Sequence, residues 1–331
     1  MNTSKLTVSV VLCAYTEERW GDLVAALESL QHQTLPAEEI LLVIDHNPRL
    51  YSRAGERFTD ISVIENRGKR GLSGARNTGI AAAHGKVIAF LDEDAVADGD
   101  WLEQLLGGYA DPNVIGVGGA IEALWLQGRP GWFPEEFDWV VGCTYRGMPL
   151  NPAPVRNLIG CNMSFRRELF EKIGGFRSGM GRIGTRPLGC EETELCIRAR
   201  QERADGVLLY EPRARVHHRV PARRSNWRYF SQRCYSEGLS KAQVTDLVGS
   251  RDGLASERGY TLRTLPSGAL RGVSDSFRER NLDGLRRATA IVAGLLITTF
   301  GYLFSRNSRS LASLKHLQDK DGVFPLPERL D

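Results

Sequence analysis

The sequence predicts an α/β fold with a largely parallel sheet. Short apolar runs typical of buried strands alternate with segments in which apolar residues recur at helical spacing. One run, 87–91, leads directly into three acids, Asp92, Glu93 and Asp94. A glycine-rich stretch, 71–79, opens the helix predicted before it. Because ligands bind beyond the carboxyl ends of the strands in such sheets, we expect these acids at a binding site.

The first third of the chain supplies the strands of this sheet. In chain order we predict a strand at 7–13, a helix around 23–30, strands at 40–44 and 61–64, a helix from 71 to about 83, and strands at 87–91 and 114–119. This is a β-α-β-β-α-β pattern. The polar N-terminus, 1–5, leads directly into the first strand, so we expect no signal peptide.

Loops and helices dominate the remainder. Residues 125–154 combine aromatic side chains with glycine and proline, which is typical either of a sugar-stacking platform or of loop residues packed on the core. Residues 189–199 read as a second acidic loop entering a helix, and 226–238 as helical. No internal repeat is present.

Composition limits the possible partners. A formal net charge of +3 over 331 residues is too small to indicate nucleic-acid binding. Arginines concentrate between Arg198 and Arg233, where they could contact phosphates, an anionic acceptor or an acidic membrane, or form a solvated face. The six cysteines include no C-x-x-C pair, which excludes a zinc ribbon and a thioredoxin-like motif and favours buried free thiols in a reducing compartment.

One segment is apolar enough to contact or enter a membrane. Residues 288–305 contain no charged side chain and are bracketed by Arg286, Arg287 and Arg306. Eighteen residues is the lower limit for a span, and threonines and glycines dilute the segment. A helix docked on the protein or on a membrane surface is therefore at least as well supported as a true span.

The three acids at 92–94 have two readings. Packed carboxylates repel one another and favour a hard cation such as Mg²⁺ or Mn²⁺, which commonly carries a substrate phosphate. The alternative is a solvated turn that caps the following helix. Similarly, the glycine-rich stretch 71–79 can offer N–H donors to phosphate at a helix N-terminus, or it can be a plain cap with Ser73 as N-cap.

Seven segments nevertheless follow one another in a recognisable order. They are Val-Val-Leu-Cys-Ala-Tyr-Thr-Glu-Glu at 10–18, Val-Ile-Asp-His-Asn at 43–47, Gly-Leu-Ser-Gly-Ala-Arg-Asn-Thr-Gly at 71–79, Asp-Glu-Asp at 92–94, Gly-Cys-Asn-Met-Ser-Phe-Arg-Arg at 160–167 with Ile-Gly-Gly-Phe at 173–176, Cys-Glu-Glu-Thr-Glu-Leu at 190–195, and Pro-Arg-Ala-Arg-Val-His-His at 212–218. Over about 7–235 this series resembles family 2 glycosyltransferases, which are inverting enzymes of the GT-A fold.

The resemblance implies a fold and a division of the chain. It implies an α/β GT-A domain, a Rossmann-like nucleotide-binding sheet with helices on both faces, followed by a C-terminal mostly helical region. We expect the GT-A domain at 1–238, with a donor-nucleotide half at 1–119 and an acceptor half at 120–238. The extension at 239–331 carries the apolar helix 288–305.

The resemblance also implies roles for individual residues. Donor binding falls to Cys13, Ala14, Tyr15, Glu17, Asp45, Gly74, Arg76, Asn77, Asp92 and Glu93. A metal falls to Asp94 and His218. The catalytic base falls to Glu192, with Glu191 as its competitor. The chain departs from the family pattern by Cys13 in place of proline, Thr16 in place of asparagine, His46 in place of a second acid, and Glu192 in place of aspartate.

The implied activity is an inverting, metal-dependent, non-processive sugar transfer. The donor would be a nucleoside-diphosphate sugar, a UDP-sugar being favoured, with Mn²⁺ or Mg²⁺, and the acceptor a hydroxyl of a glycan or lipid-linked glycan. We expect a cytoplasmic location with peripheral attachment to the inner face of the membrane through 288–305. The segment at 232–235 lacks the Q-x-x-R-W motif of processive relatives. No oligomeric state follows.

Two alternatives remain. A nucleotidyltransferase also needs acids, metal and a glycine-rich loop, but its loop follows the first strand directly, and 13–16 contains no glycine. A sugar-nucleotide-binding protein without turnover is suggested only by His46 and by the glutamate at 192.

Overall fold

The computed structural model describes residues 6–181, 189–249 and 259–307. The expectation about the N-terminus rests on residues 1–5, which lie outside these ranges. A nine-stranded mixed sheet forms the centre of the molecule, with helices on both sides.

The strands are β1 (Val8–Ala14), β2 (Glu39–Asp45), β3 (Ser62–Asn66), β4 (Val87–Asp92), β5 (Ala95–Ala97), β6 (Val114–Trp125), β7 (Ala153–Pro154), β8 (Asn162–Arg166) and β9 (Val207–Val220). The helices are α1 (Trp20–Gln31), α2 (Pro48–Arg57), α3 (Leu72–Ala82), α4 (Trp101–Gly107), α5 (Arg167–Ile173), α6 (Glu191–Glu202), α7 (Trp227–Val248), α8 (Leu265–Glu279) and α9 (Asp283–Asn307). Short 3₁₀ turns lie at Glu17–Arg19, Gly108–Ala110, Glu135–Val141 and Ala222–Arg224, and a π turn at Tyr260–Thr264.

Every strand pair is parallel in the N-terminal half of the sheet, whereas the other half is mixed, with β6 and β9 parallel. Its order is β3-β2-β1-β4-β8-β6-β9-β5, with β7 paired to β9. The first four strands in this order run parallel, whereas β8 is antiparallel to both β4 and β6, and β5 is antiparallel to β9. The prediction of a largely parallel sheet therefore describes the half nearest the N-terminus, and the complete sheet is mixed.

Alternation along the strands divides the core between the two faces of the sheet. In β1, Val10 and Leu12 belong to one apolar cluster, whereas Val11 and Cys13 belong to the other. All seven β1 residues are buried because helices cover both faces. The apolar sequence of this strand, without polar alternation, is the consequence.

The predicted β-α-β-β-α-β pattern is wrong at one point, because it omits α2. The strands β2 and β3 are parallel neighbours, and such a pair needs a crossover. Helix α2 buries only Leu50 and Ala54 among its ten residues, so apolar periodicity did not indicate it. Its start is marked instead by Asn47, whose side chain accepts a hydrogen bond from the Leu50 N–H, and by Pro48.

Three helices after β9 pack together. Helix α7 is longer than the helix predicted at 226–238, and α9 contains the predicted apolar segment 288–305. Glycines allow close contact: a Cβ at Gly238 would lie 2.2 Å from the Thr298 carbonyl oxygen of α9, and one at Gly272 of α8 would lie 2.5 Å from the Gly284 oxygen of α9. Within the described residues, α9 alone is long and apolar enough to cross a membrane, and 28% of its most apolar window is buried.

Candidate active site

A cavity of about 850 Å³ lies at the carboxyl ends of β1, β2 and β4. Its wall includes Cys13, Ala14 and Tyr15 from β1 and the residue that follows it, Asp45 from β2, and Asp92 from β4. These strands are parallel neighbours, so their C-terminal residues meet at one edge of the sheet. The predicted donor-binding strands are therefore brought together as expected.

Asp45 supports the wall through hydrogen bonds of its own. Its side chain is buried, and its oxygens accept from the Asn66 amide at 2.7 Å and from the Gly71 N–H at 2.9 Å. The His46 ring lies 2.9 Å from the same carboxylate, and His46 adopts a left-handed backbone with φ 50°. Asp45 thus fixes the turn that leads into α3 as well as lining the cavity.

Helix α3 begins at the cavity, but not as predicted. Its N-cap is Gly71, with φ 118°, and the Ser73 hydroxyl donates instead to the Met180 carbonyl at 2.9 Å. The reading of Ser73 as N-cap is therefore wrong. Gly71, with its positive φ, admits a tight entry that a side chain would strain.

Three predicted donor-binding residues lie outside the cavity wall. Glu17 is exposed on the 3₁₀ turn after β1. Gly74 is needed for packing, since a Cβ there would lie 1.8 Å from the Lys69 carbonyl oxygen. The Asn77 amide donates to the Phe176 carbonyl at 2.9 Å and accepts from its N–H at 2.8 Å, so it braces the Gly-Gly-Phe turn.

Arg76 is a buried cation on the cavity wall. Its guanidinium donates to Glu191 at 3.0 Å, to Asp92 at 3.3 Å and to the Gly160 carbonyl at 3.0 Å. Burial alone would lower the pKa of Arg76, yet the carboxylates of Glu191 and Asp92 raise it. Arg76 therefore stays charged and ties α3, β4 and α6 together at the site.

The acids 92–94 have three different environments. Asp92 remains partly exposed beside Arg76. Glu93 is buried and hydrogen-bonded to Arg19, and burial with the neighbouring Asp94 carboxylate raises its pKa to about 7. Burial would raise the pKa of Asp94 too, but charge pairing with His218, Arg224 and Arg19 holds it well below its ordinary value. The solvated capping turn is excluded, since Glu93 and Asp94 are buried and α4 is capped without a side-chain bond.

His218 and Asp94 form a buried pair suited to a cation. His218 lies on β9 opposite Ala95, and its Nε2 lies 3.1 Å from the Asp94 Oδ1. Ligand atoms of Asp92, Cys161 and His218 lie within 4.8 Å of one another. A thiolate is a soft donor that suits Mn²⁺ and Mg²⁺ poorly, so Cys161 is the least suited ligand of the three. Asp92, Asp94 and His218 together supply two carboxylates and an imidazole, and this donor set fits Mn²⁺.

A cation would have to compete with Arg224. Its guanidinium lies 3.4 Å from the Asp94 carboxylate and 3.4 Å from the His218 Nε2. Neighbouring His217 points away from this pair, as alternation along an extended strand predicts, and contacts Asp98 at 2.9 Å.

Glu191 and Glu192 begin α6 with opposite surroundings. Glu191 is ion-paired to Arg76. Glu192 lines the cavity, and within the described part of the chain no side chain donates a hydrogen bond to its carboxylate. Burial and the neighbouring Glu191 raise the pKa of Glu192 to about 8. A carboxylate with a raised pKa, facing a cavity, can accept a proton near neutral pH.

The aromatic segment 125–154 divides between the two predicted roles. Phe133 and Phe137 are core residues, packed against Phe230 of α7 at ring-centroid distances of 5.5 and 5.3 Å. Trp139 and Tyr145 reach the cavity wall. Phe137, although buried, also contributes to this wall, whereas Phe133 does not.

The C-terminal helices close one side of the cavity, which the sequence did not indicate. Tyr260 accepts a hydrogen bond from the Trp139 indole at 3.0 Å and donates to the Glu136 carbonyl at 2.6 Å. Leu265 of α8 and Leu295 and Tyr302 of α9 also line the wall. No motif marks these positions, because they contribute by tertiary packing from the far end of the chain.

The arginines between 198 and 233 do not form one patch. Arg198, Arg213 and Arg219 pair with Glu194, Glu211 and Asp22 at separate places. Arg224 and Arg233 lie at the site. Arg19 also lines the cavity and was missed, since a lone arginine on a turn carries no motif. The six cysteines are free and buried, as predicted.

A family model and a curated relative match this sequence. The model for glycosyl transferase family 2 matches residues 9–174. A glucosyl-dolichyl phosphate glucuronosyltransferase of Haloferax volcanii is 35% identical over 247 residues, covering 73% of this chain and 78% of the relative. Residues 9–174 contain β1, β2 and β4 and the acids 92–94, whereas Glu191, Glu192 and His218 lie beyond them.

Solved structures share the fold. A mannosyltransferase from Pyrobaculum calidifontis, in complex with GDP-Man and Mn²⁺, aligns with a TM-score of 0.56 at 18% identity, covering 96% of this chain and 89% of that one. GalNAc-T7 with UDP, GalNAc and Mn²⁺ aligns with a TM-score of 0.51 at 19% identity, covering 78% and 57%. At these identities the likeness concerns the fold alone.

Proposed function

Because this chain belongs to glycosyl transferase family 2 and has the GT-A fold, we propose that it transfers one sugar, with inversion, from a nucleoside-diphosphate sugar to an acceptor hydroxyl. The chain is a glycosyltransferase. One observation carries it. The buried pair Asp94 and His218 shares a single cavity with Glu192, whose carboxylate has a raised pKa.

Glu192 is the proposed base. It removes the proton from the acceptor hydroxyl, whose oxygen bonds to the anomeric carbon as the bond from that carbon to the diphosphate oxygen breaks. The electron pair of the broken bond leaves with the diphosphate, and the proton stays on Glu192. A base with a pKa near the working pH suits this step, and a positioned base typically contributes ~10²–10⁴-fold. Attack from the face opposite the diphosphate inverts the anomeric carbon.

Glu191 is proposed as a positioning residue. Its carboxylate is ion-paired to Arg76 at 3.0 Å, and the same guanidinium contacts Asp92. This chain of contacts links the base helix α6 to the acids at the end of β4. It orients both without taking part in proton transfer.

We assign stabilisation of the leaving diphosphate to Asp94 and His218. A divalent cation, Mn²⁺ or Mg²⁺, would be held by these two with Asp92 beside them, and would supply Lewis acidity toward the leaving diphosphate. The N-terminus of α3 and the Arg70 side chain also face the cavity and favour negative charge there.

We propose a UDP-sugar as donor. The wall at the ends of β1 and β2, where the uracil ring would lie, is formed by Cys13, Ala14, Tyr15 and Asp45. The two solved neighbours carry different nucleotides, UDP in one and GDP-Man in the other. The name of the 35% identical relative makes UDP-glucuronic acid the first sugar donor to test.

We propose a lipid-linked glycan as acceptor, bound at the inner face of a membrane that 288–305 contacts. The Haloferax relative is named for a dolichyl phosphate substrate. Transfer is proposed to stop after one sugar, because Gln232-Arg233-Cys234-Tyr235 departs from the processive motif.

Thermal stabilisation by UDP, GDP, dTDP and CDP, each with Mn²⁺ and with EDTA, tests the donor site. A ligand at a hundredfold excess over its Kd adds about 2.7 kcal/mol. We expect a shift with UDP that EDTA removes. A shift with GDP alone would overturn uracil as the nucleobase of the donor. UDP-glucuronic acid with a glucosylated lipid phosphate then tests transfer by mass spectrometry, and binding without turnover on any acceptor would favour the non-catalytic alternative.

A further inference from the structure

The hairpin of α8 and α9 exposes an apolar face. On each helix the exposed apolar residues recur at intervals of three, four or seven, so they form one stripe per helix. They are Leu270, Val273 and Phe277 on α8, and Leu285, Val292, Leu296, Phe300 and Leu303 on α9, where Phe304 widens the stripe beside Phe300. Phe277 is 81% exposed and Leu296 64% exposed. Such exposure is unusual for large apolar side chains at regular spacing.

The two stripes join into one surface. An open groove of about 460 Å³ runs between the helices, and it is lined by Leu270 and Val273 from α8 and by Val292 and Leu296 from α9, with small residues between them. Except for the Thr289 hydroxyl, this lining is hydrocarbon. A continuous apolar surface of this kind marks an interaction site.

Exposed arginines stand at both ends of the face. Arg278, Arg280 and Arg286 surround the turn between α8 and α9. Arg263, before α8, and Arg306, at the end of α9, lie at the other end. Residues 260–307 contain seven arginines and three acids. This positive border complements a negatively charged lipid surface.

The opposite side of α9 belongs to the protein. A Cβ at Gly301 would lie 2.4 Å from the Tyr235 carbonyl oxygen of α7, so the two backbones are in direct contact. Leu295, Thr298 and Tyr302 line the active-site cavity. A helix fully surrounded by lipid would lose these contacts and place the cavity inside the membrane.

We propose that the α8–α9 hairpin lies in the plane of an anionic membrane leaflet, with its apolar face among the acyl chains and the other side of α9 against the cavity. The lipid-linked acceptor of the proposed function is the premise that gives this arrangement its use. Both arginine clusters then meet the same layer of headgroups, whereas a span would divide them between opposite surfaces. The acceptor headgroup reaches the cavity while its lipid stays in the leaflet.

Vesicle flotation of the full chain tests the attachment. Phosphatidylcholine vesicles with and without an equal share of phosphatidylglycerol are compared, with and without added sodium chloride. We expect binding to the anionic vesicles that salt weakens. The double variant Leu296→Gln/Phe300→Gln should bind roughly tenfold or more weakly, since each change removes buried apolar surface. Leu150→Gln, at an exposed leucine outside the hairpin, should bind as the wild type does.

Depth measurements test the orientation. Single cysteines replace Leu285, Leu296 and Leu303 and carry an environment-sensitive fluorophore. The six native cysteines are buried, so wild-type protein treated with the same reagent gives the background labelling. The outer positions are ~27 Å apart along the helix. Quenchers at fixed depths in the lipid should report one shallow depth for all three sites. A gradient with Leu296 deepest would mean a span and would overturn the proposal.

The remaining outcomes also decide. Equal binding of the double variant and the wild type, or no binding to anionic vesicles, overturns the inference. So does a stable dimer that the double variant dissociates and that does not bind vesicles. Failure here would leave UDP binding and transfer to a water-soluble acceptor intact, whereas failure of the proposed function would abolish transfer while vesicle binding remained.

Discussion

At the scale of single residues, Glu191 and Glu192 are neighbours in the chain with different electrostatic surroundings. Glu191 is ion-paired to buried Arg76, and Glu192 has no such partner among the described residues. Sequence alone left them as competitors, because a motif fixes position along the chain and not the direction of a side chain. The structure distinguishes the two glutamates, and the difference can be tested by measuring both the activity and the thermal stability of their variants.

Glu192→Gln should abolish transfer and stabilise the fold. We expect a loss of ~10²–10⁴-fold in kcat. Between the ordinary carboxyl pKa and about 8 the folded state retains a proton that the unfolded state releases, so Glu192 destabilises the fold increasingly as pH rises across this window. The amide removes this effect, and the Tm at pH 8 should rise by ~2–4 °C for each kcal/mol regained.

Glu191→Gln is the matched control. It weakens the partnership of a buried guanidinium and should lower stability by ~1–3 kcal/mol, so its Tm should move in the opposite direction. Calorimetry of both variants, beside their kinetics, checks the pair. If Glu192→Gln kept full activity while Glu191→Gln lost it, the base assignment would be reversed.

The raised pKa of Glu192 also sets the pH dependence. Only the deprotonated carboxylate can accept a proton, so kcat/KM should rise by roughly tenfold per pH unit below about 8 and level off above it. Initial rates at limiting donor and acceptor across this window provide the measurement. A profile already flat from pH 5 would show that no group with a pKa near 8 acts as base.

At the scale of elements, motifs predicted where strands end but not which side chains turn inward. Apolar patterns predicted β1 to β4, β6 and the apolar segment of α9, whereas β5, β7, β8 and β9 were not predicted. Asn77 belongs to the same motif as Arg76, yet it lies on α3 facing the turn at Phe176 rather than the cavity. A nine-residue motif on a helix necessarily has two faces, and only one of them meets the ligand.

Asn77→Ala tests this division. Two hydrogen bonds to the Phe176 backbone are lost, which should cost about 1–3 kcal/mol in chemical denaturation. Nucleotide affinity by calorimetry should stay within about twofold, because Asn77 is not part of the cavity wall. Asn151→Ala, at an exposed loop position, controls for the change itself. A large loss of UDP affinity in folded Asn77→Ala would restore the predicted donor-binding role.

The contact between α7 and α9 makes a second element-scale prediction. Gly238→Ala places a methyl group 2.2 Å from the Thr298 carbonyl oxygen, so the helices must separate, at a cost of about 1–3 kcal/mol. Gly21→Ala, on α1 with no atom near the added methyl, should instead stabilise by about 0.5–1 kcal/mol. Equal Tm changes in the two variants would mean that α9 does not pack closely on α7.

At the scale of the whole molecule, the site is assembled from Cys13 to Tyr302, which is nearly the full described chain. The N-terminal half of this wall was predictable, since parallel strands end at one edge and carry the family motifs. In the other half, motifs predicted Glu191, Glu192 and His218, but the residues outside the motifs were not predictable. No motif marks Arg224 or Tyr260: Arg224 lies beside Asp94 on the 3₁₀ turn after β9, and Tyr260 reaches the cavity on the turn before α8.

Metal removal should stop the reaction and spare the fold. Asp94 is already ion-paired with Arg224 and Arg19, so its burial does not depend on a bound cation. We expect EDTA to abolish transfer while the Tm of the nucleotide-free protein changes by less than about 2 °C. A large fall in Tm with EDTA alone would show that the cation is structural.

The wall formed by Tyr260, Leu265, Leu295 and Tyr302 has a further chemical consequence. An activated sugar can be captured by water as readily as by an alcohol, and the base that serves one nucleophile serves the other. The helices that cover the cavity therefore determine how much of the donor is hydrolysed by water instead of being transferred to the acceptor. Loosening them would turn a transferase toward a sugar-nucleotide hydrolase, so the ratio of free sugar to glycosylated product measures how tightly the C-terminal helices are closed.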